Sequence, residues 1–377
     1  GLMLPIMMTI VHLSMFSVAV PTIRETFGLQ ADVIAWVVTA YTLPYIIFMP
    51  IYGRLADELG KRRLFLTGLA IFLLGTLCAL MASNLPLLVL GRAIQGMGVA
   101  GTNPLCIAII TQRFPVERRG KALGTWNSIG PIAGMLGPFL GGFLIEYASW
   151  RAIFVPVLLL GAISILAIRQ RIANKALHTK MSVFFRHFDW GGVALLSGSL
   201  ILTMLYLSSR PITGVEPLRD WRLLLGACVC LGSFLAWEKR QTRPFVALEI
   251  FQNTSFVLAA LSSGIRMLIM SSLGFLTPLY LTDIHHLRAT SIGGISTIHA
   301  TSLLITMRIG GQLADRWSAR WPVCIGSTVQ LASVVYLARL PESASLALYI
   351  LGTIGHGLGA GLMLASLHRT SMARIPH

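Results

Sequence analysis

The chain has 377 residues, 55% of them hydrophobic and only 12% charged, with a mean hydropathy of +0.75. A soluble domain carries about a quarter charged residues, so composition excludes a soluble globular protein and points to an integral membrane protein in a lipid bilayer. The net charge of +16 does not indicate a nucleic-acid partner, because the cations punctuate apolar runs instead of gathering on one polar face.

Apolar runs of about 17 to 25 residues cross the roughly 30 Å hydrocarbon layer, and twelve such runs follow one another. The first, 2–20, carries His12, Ser14 and Ser17 and lacks a small-residue cleavage site before Pro21, so it is a span and not a signal peptide. The second, 33–52, leads into "GRLADELGKRR", Gly53 to Arg63. This stretch reads as a cytoplasmic turn. In it Gly53 lets helices approach and Asp57 meets a neighbouring helix N-terminus, while Gly60 precedes the cations Lys61, Arg62 and Arg63 that anchor the inner face. The third span is 64–82. The fourth, 86–110, holds Arg92 about a turn and a half inside, with Gln95 and Gly96 on the next turn. An intramembrane cation costs a few kcal/mol, so it faces a cavity or a partner, or snorkels to the near interface.

In the fifth span, 121–145, Gly130, Gly134, Gly137, Gly141 and Gly142 recur at spacings of three and four beside Pro138, forming one smooth helical face on which backbones can pack or slide. The sixth span is 152–168, and 191–207 and 223–238 follow. The ninth, 256–281, places Arg266 near its middle, the strongest cavity candidate by depth alone. The tenth, 289–310, has Arg308 one turn from its end, within snorkelling reach. It runs into "GQLADRWSAR", where Gly311, Asp315 and Arg316 repeat the earlier loop. The spans 321–338 and 346–367 complete the series. All five cysteines lie inside apolar runs and read as small hydrophobes, so no metal or cofactor is expected.

Positive charge in short loops marks the cytoplasmic side. If the loop after the second span is cytoplasmic, that side collects 20 of the 30 Lys and Arg residues and the other side 7, with both ends cytoplasmic. All 14 acids fall in loops or at span ends, with Glu146 and Asp32 nearest to membrane depth. His12, His299 and His356 are then the titratable side chains left within spans, although a lone helix histidine is more often structural.

Several stretches resemble segments of the major facilitator superfamily, specifically its fourteen-span drug:proton antiporter branch. Gly53 to Arg63 is similar to the superfamily's cytoplasmic loop signature, "RAIQGMG" at Arg92 to Gly98 to its span 4 signature, and "GMLGPFLGG" at Gly134 to Gly142 to the span 5 antiporter motif. "AWVVTAYTL" at Ala35 to Leu43 and "FDWGG" at Phe188 to Gly192 resemble further segments of the branch. The branch usually carries an aspartate in span 1; here Ser14 and Ser17 occupy the matching pattern, and neither takes a proton.

The resemblance implies an all-α polytopic major facilitator fold. The expected organisation is an N-terminal six-helix bundle over 1–170, a cytoplasmic linker with two extra helices over 171–245, and a partial C-terminal bundle of four helices over 246–377. Parallel duplication places a second loop signature after span 8; it follows span 10, which is why two linker helices are inferred. By the same count two helices are expected beyond His377, and the sequence reads as a fragment. The function implied is secondary active, proton-coupled export of small amphipathic compounds or drugs across the plasma membrane by alternating access. Arg92, Gln95 and Gly96 would serve proton coupling. The alternatives are a non-transporting remnant and, less favoured, an intramembrane enzyme, for which no HExxH, GxSxG or paired-aspartate motif lies within a span.

Overall fold

The structure is a computed structural model that describes residues 2–115, 118–119, 122, 125–126, 128–171, 188–208, 214–216, 218–241, 248–316, 318 and 320–372. The described residues are helical throughout their ordered elements. In chain order these are α1 (Met3–Thr26), α2 (Ala31–Leu59), α3 (Lys61–Leu80), α4 (Leu85–Val99), α5 (Thr102–Arg113), α6 (Ile129–Tyr147), α7 (Phe154–Arg171), α8 (Trp190–Leu207), α9 (Trp221–Glu238), α10 (Thr254–Asp283), α11 (Ala289–Arg316), α12 (Arg320–Ala338) and α13 (Leu346–Met372). Short 3-10 turns at Trp150–Ile153 and Leu248–Gln252 lead into α7 and α10.

Among the described residues twelve helical segments are long and apolar enough to cross a membrane, α4 and α5 together making one. The break in that fourth span has a local cause: Pro104 has no N–H for the carbonyl of Ala100, and the helix reopens around Ala100 and Gly101. The expected start of the fifth span at 121 lies outside the described residues, and α6 itself begins at Ile129. One boundary differs from expectation. The stretch from Gly53 is not a long turn: α2 continues to Leu59 and the chain reverses at Gly60 alone, at φ 84°, where glycine is the residue without a steric penalty.

The chain divides into two compact units. The first comprises 1–9, 23–127 and 154–248. Within it α4 lies against α2 and α3, and α3 against α7. The approach of α3 to α4 is set by glycines: a β-carbon on Gly91 would come 2.7 Å from Ala79 N, and one on Gly98 2.7 Å from Gly68 O. Phe65, Leu69, Phe72, Leu88 and Leu105 are fully buried there. The helices α8 and α9 pair with each other, and their Val193, Leu195, Leu196 and Phe234 pack with Ile47, Phe48 and Ile51 of α2. Asp189 fixes this pair. It caps α8 by accepting from Gly192 N (2.8 Å) and also accepts from Trp237 Nε1 (2.8 Å) on α9.

The second unit comprises 10–22, 128–153 and 249–377. In it α13 packs on both α11 and α12, and α6 packs on α11. Leu268, Leu331, Leu351 and Phe139 stand more than half exposed, a surface that hydrocarbon covers in a membrane.

Candidate functional site

In the first unit the fourth span builds a polar centre around Arg92. Asn84 starts α4 by accepting from Leu87 N (2.9 Å), and two turns on Arg92 is fully buried. Its Nε donates to the Val37 carbonyl of α2 (3.3 Å), one Nη donates to Gln95 Oε1 (3.1 Å), and the guanidinium lies 4.3 Å from the centre of the Tyr41 ring. Gln95 Nε2 in turn donates to Thr76 Oγ1 of α3 (2.9 Å), which donates to Phe72 O (2.8 Å). Five residues of "GRAIQGMG" therefore have a physical task. Arg92 and Gln95 point inward, Gly91 and Gly98 admit α3, and Gly96 admits α2, since a β-carbon there would overlap Tyr41 O. Complete burial rules out snorkelling for this arginine. Thr76 and Tyr41 were not singled out from sequence; Tyr41 lies within "AWVVTAYTL", and its ring takes the guanidinium by cation–π attraction.

The loop motif has a capping role at its cations. Lys61 Nζ donates to Ala108 O (3.3 Å) and Arg62 Nη2 to Arg169 O in the last turn of α7 (2.8 Å), where cations meet the negative end of the helix. Gly53 does not serve close packing: nothing lies within 4 Å of a β-carbon built on it. The Asp57 side chain lies outside the described residues, as does that of Asp315. In the repeated stretch Gly311 sits inside α11 and Arg316 is exposed at its end, while the neighbouring Gly310 makes the close contact, against Leu362 O.

In the second unit the span 5 glycines divide between two neighbours. Gly130, Gly134, Gly137 and Gly141 share one helical face, whereas Gly142 lies about 100° around the helix from Gly141 and leaves it. Gly137 and Gly141 turn to α1, where a β-carbon would overlap Ser14 Oγ or come 3.0 Å from Met15 Cα. Pro138 and Gly142 turn to α11: Gly293 packs on the Pro138 carbonyl and Gly142 on Ala289 O. Gly134 has open space around it, and Gly130 only ordinary contact with Ile10 at 3.5 Å. The α6–α11 seam is closed by Thr297 Oγ1 donating to Met135 O (3.2 Å) and by Glu146, whose Oε2 accepts from the Thr290 N–H (3.1 Å) and hydroxyl at the start of α11. Arg288 lies 3.6 Å from its other oxygen. Glu146 is thus a helix cap supplied by another helix.

Ser14 and Ser17 donate to carbonyls of their own helix, Ser14 to Ile10 O (2.7 Å) and Ser17 to Ser14 O (2.8 Å). His12 is fully buried, its ring 6.2 Å from that of Phe16. Arg266 on α10 is 7% exposed; its Nη1 lies 3.2 Å from Met270 Sδ, one turn along the same helix, and its Nε has no hydrogen-bond partner among the described residues. Elsewhere in the unit His299 of α11 lies 2.9 Å from His356 of α13, which meets Gln330 of α12 at 3.0 Å. Among the described residues no cluster of three His, Cys, Asp or Glu could hold a metal ion.

The family model described as Major Facilitator Superfamily matches residues 2–377. Among curated proteins the chain is 27% identical to the riboflavin transporter RibZ of Clostridioides difficile over 96% of this chain and 77% of that one. It is 28% identical to multidrug resistance protein 3 of Bacillus subtilis, over 99% and 72%. Against the putative multidrug resistance protein MdtD of Escherichia coli the identity is 30%, over 85% and 66%. The chain spans between 52% and 82% of the length of curated relatives such as these. Among solved structures, a bacterial homologue of the human lysosomal transporter Spinster, inward-facing and unoccupied, superposes with a TM-score of 0.65 at 16% identity, covering 99% of this chain and 74% of that one. A D-xylose–proton symporter gives 0.63 at 11% identity, covering 97% and 79%.

Proposed function

The chain belongs to the major facilitator superfamily, and on that premise we propose that it is a proton-coupled exporter of small amphipathic compounds, of the drug:proton antiporter branch. The observation that carries the reading is the seating of "GMLGPFLGG", through Gly137, Gly141 and Gly142, directly against α1 and α11. A helix in close contact with two neighbours through its glycines can shift between discrete packings, which alternating access requires. Relatives named for multidrug resistance support the export reading. The fourteen-span branch is supported by the second loop signature following the tenth span, and a plasma-membrane protein with both ends cytoplasmic by the distribution of cations. A relative named as a riboflavin transporter favours a second reading, movement of a planar metabolite by the same mechanism.

The substrate is anionic or neutral. Exporters of cations need a buried carboxylate opposite the substrate, and the acids of this chain fall in loops or at span ends. Arg266 offers the opposite charge with an unused donor, and a guanidinium binds a carboxylate or phosphate with two parallel hydrogen bonds. A resistance panel of matched cationic and anionic amphiphiles in an efflux-deficient host tests this. Protection against the anionic and neutral members is expected; protection confined to cations would contradict it.

A further inference from the structure

The interior of the second unit contains a three-residue chain that the transport motifs do not use. The stretch "GHGLGAG", Gly355 to Gly361, places glycines on both sides of His356 at i, i+4 intervals. Gly357 and Gly361 admit α11: a β-carbon on Gly357 would come 2.6 Å from His299 O, and one on Gly361 would overlap Leu303 O. Gly355 and Gly359 admit α12, with Ser333 Oγ at 2.5 Å from the first and Gln330 N at 2.7 Å from the second. The two helices close in on His356 from either side. His356 is fully buried and Gln330 is 3% exposed, whereas His299 is half-buried. His299 Nε2 lies 2.9 Å from His356 Nδ1, and Gln330 Nε2 lies 3.0 Å from His356 Nε2.

The protonation pattern follows from which way the Gln330 amide faces. An amide nitrogen only donates, so His356 Nε2 accepts from Gln330; a neutral ring has one N–H, so His356 Nδ1 carries it and donates to His299 Nε2. If the amide turns to present Oε1, every donor reverses: His356 Nε2–H donates to Gln330, His356 Nδ1 accepts from His299 Nε2–H, and His299 Nδ1 is left with a lone pair. A proton arriving there forms one N–H bond and adds one positive charge, and no hydrogen bond is lost. A second proton would set two N–H groups and two cations face to face across 2.9 Å. The capacity of the chain of groups is therefore one proton.

We propose that His299, His356 and Gln330 form a proton-binding relay of capacity one, entered at His299 and governed by the Gln330 amide. Its use in transport rests on the proton-coupled reading above. Six other ionisable groups on the packed helices are Arg266 and Tyr280 on α10, Arg308 on α11, Tyr336 on α12, Tyr349 on α13 and Glu146 on α6, and Tyr147, Asp283, Asp315, Arg316, Arg320, Cys324, His368 and Arg369 lie toward the ends of the same helices. Tyr349 donates to Thr277 (2.9 Å) and Glu146 caps α11, and among the described contacts none of the six bonds to the pair. Arg308 is nine residues from His299, about 13 Å along the helix.

The test is ¹⁵N NMR of the full protein in nanodiscs, labelled at histidine, with His299→Gln and His356→Gln assigning the two rings. Both rings are expected to respond in one shared transition worth one proton, and each single variant should move the transition of the ring that remains. Gln330→Leu removes the acceptor for His356 Nε2–H and should weaken proton binding about tenfold or more, while Gln330→Glu should strengthen it. Two rings that titrate independently with two protons, or that show no change between about pH 4 and 9, would overturn the relay. Efflux from vesicles under a pH gradient separates the two claims. Wild-type efflux indifferent to the gradient, with the shared transition intact, sinks proton coupling and leaves the relay standing.

Discussion

Among its described contacts Arg92 has two hydrogen bonds and a tyrosine face, each hydrogen bond to a charged group contributing about 1.5–3 kcal/mol and a desolvated cation–π contact about 2 kcal/mol. These offset the few kcal/mol that a guanidinium loses on leaving water for the membrane interior. Arg266, with a thioether and an idle Nε, has no comparable compensation among its described contacts, and an incoming anion would supply it. Two expectations follow at this scale. Arg92→Lys keeps the charge but not the fork or the stacking; it should insert normally and reduce efflux by roughly ten- to hundredfold, the equivalent of one such hydrogen bond, as read by flux per molecule in vesicles. Arg266→Ala should abolish protection against anionic amphiphiles and spare neutral ones; unchanged protection against anions would make Arg266 a structural residue. The depth of Arg92 and Arg266 was legible in the sequence, because cations inside apolar runs stand out. Their partners were not. Val37 contributes a backbone carbonyl, Thr76 is an ordinary helix threonine, and His299, His356 and Gln330 are far apart in sequence and meet only through packing.

The element that best repays its sequence pattern is α6. Its glycines were visible as a small-residue helix, but the split between α1 and α11 depends on which neighbours arrive, and that is a property of tertiary packing. Leu at Gly137 would occupy the space of Ser14 Oγ, and Leu at Gly142 that of the Ala289 carbonyl. Either variant should reach the membrane and lose transport, while Gly134→Leu, facing open space, should retain it. Surface biotinylation paired with efflux checks this trio; equal losses in all three would mean that the glycines serve helix flexibility and not two interfaces. At the turn between α2 and α3, Gly60→Ala forces an L-residue to φ 84°, which costs about 1–3 kcal/mol and should lower the thermal midpoint in nanodiscs. Here the sequence misled in part: apolar periodicity ends near residue 52, yet α2 runs to Leu59, because polar helix-forming residues extend a helix beyond the hydrocarbon without leaving a trace in hydropathy.

At the scale of the chain, twelve membrane-length helical segments among the described residues match the twelve apolar runs, since in hydrocarbon the backbone must satisfy its own hydrogen bonds and length alone then identifies a span. Division into units was less legible, because it depends on contacts between distant helices. Asp57, in the last turn of α2, bears on the molecule as a whole if its carboxylate biases the balance of inward-open and outward-open states; Asp57→Asn is then expected to remain in the membrane and transport more slowly. The central claim is that a proton gradient drives export. The direct measurement is efflux of an anionic amphiphile from vesicles containing the full-length protein, with and without an imposed pH gradient at constant membrane potential. Flux that rises with the gradient and stops when an ionophore dissipates it is expected; the same flux with and without the gradient would contradict proton coupling.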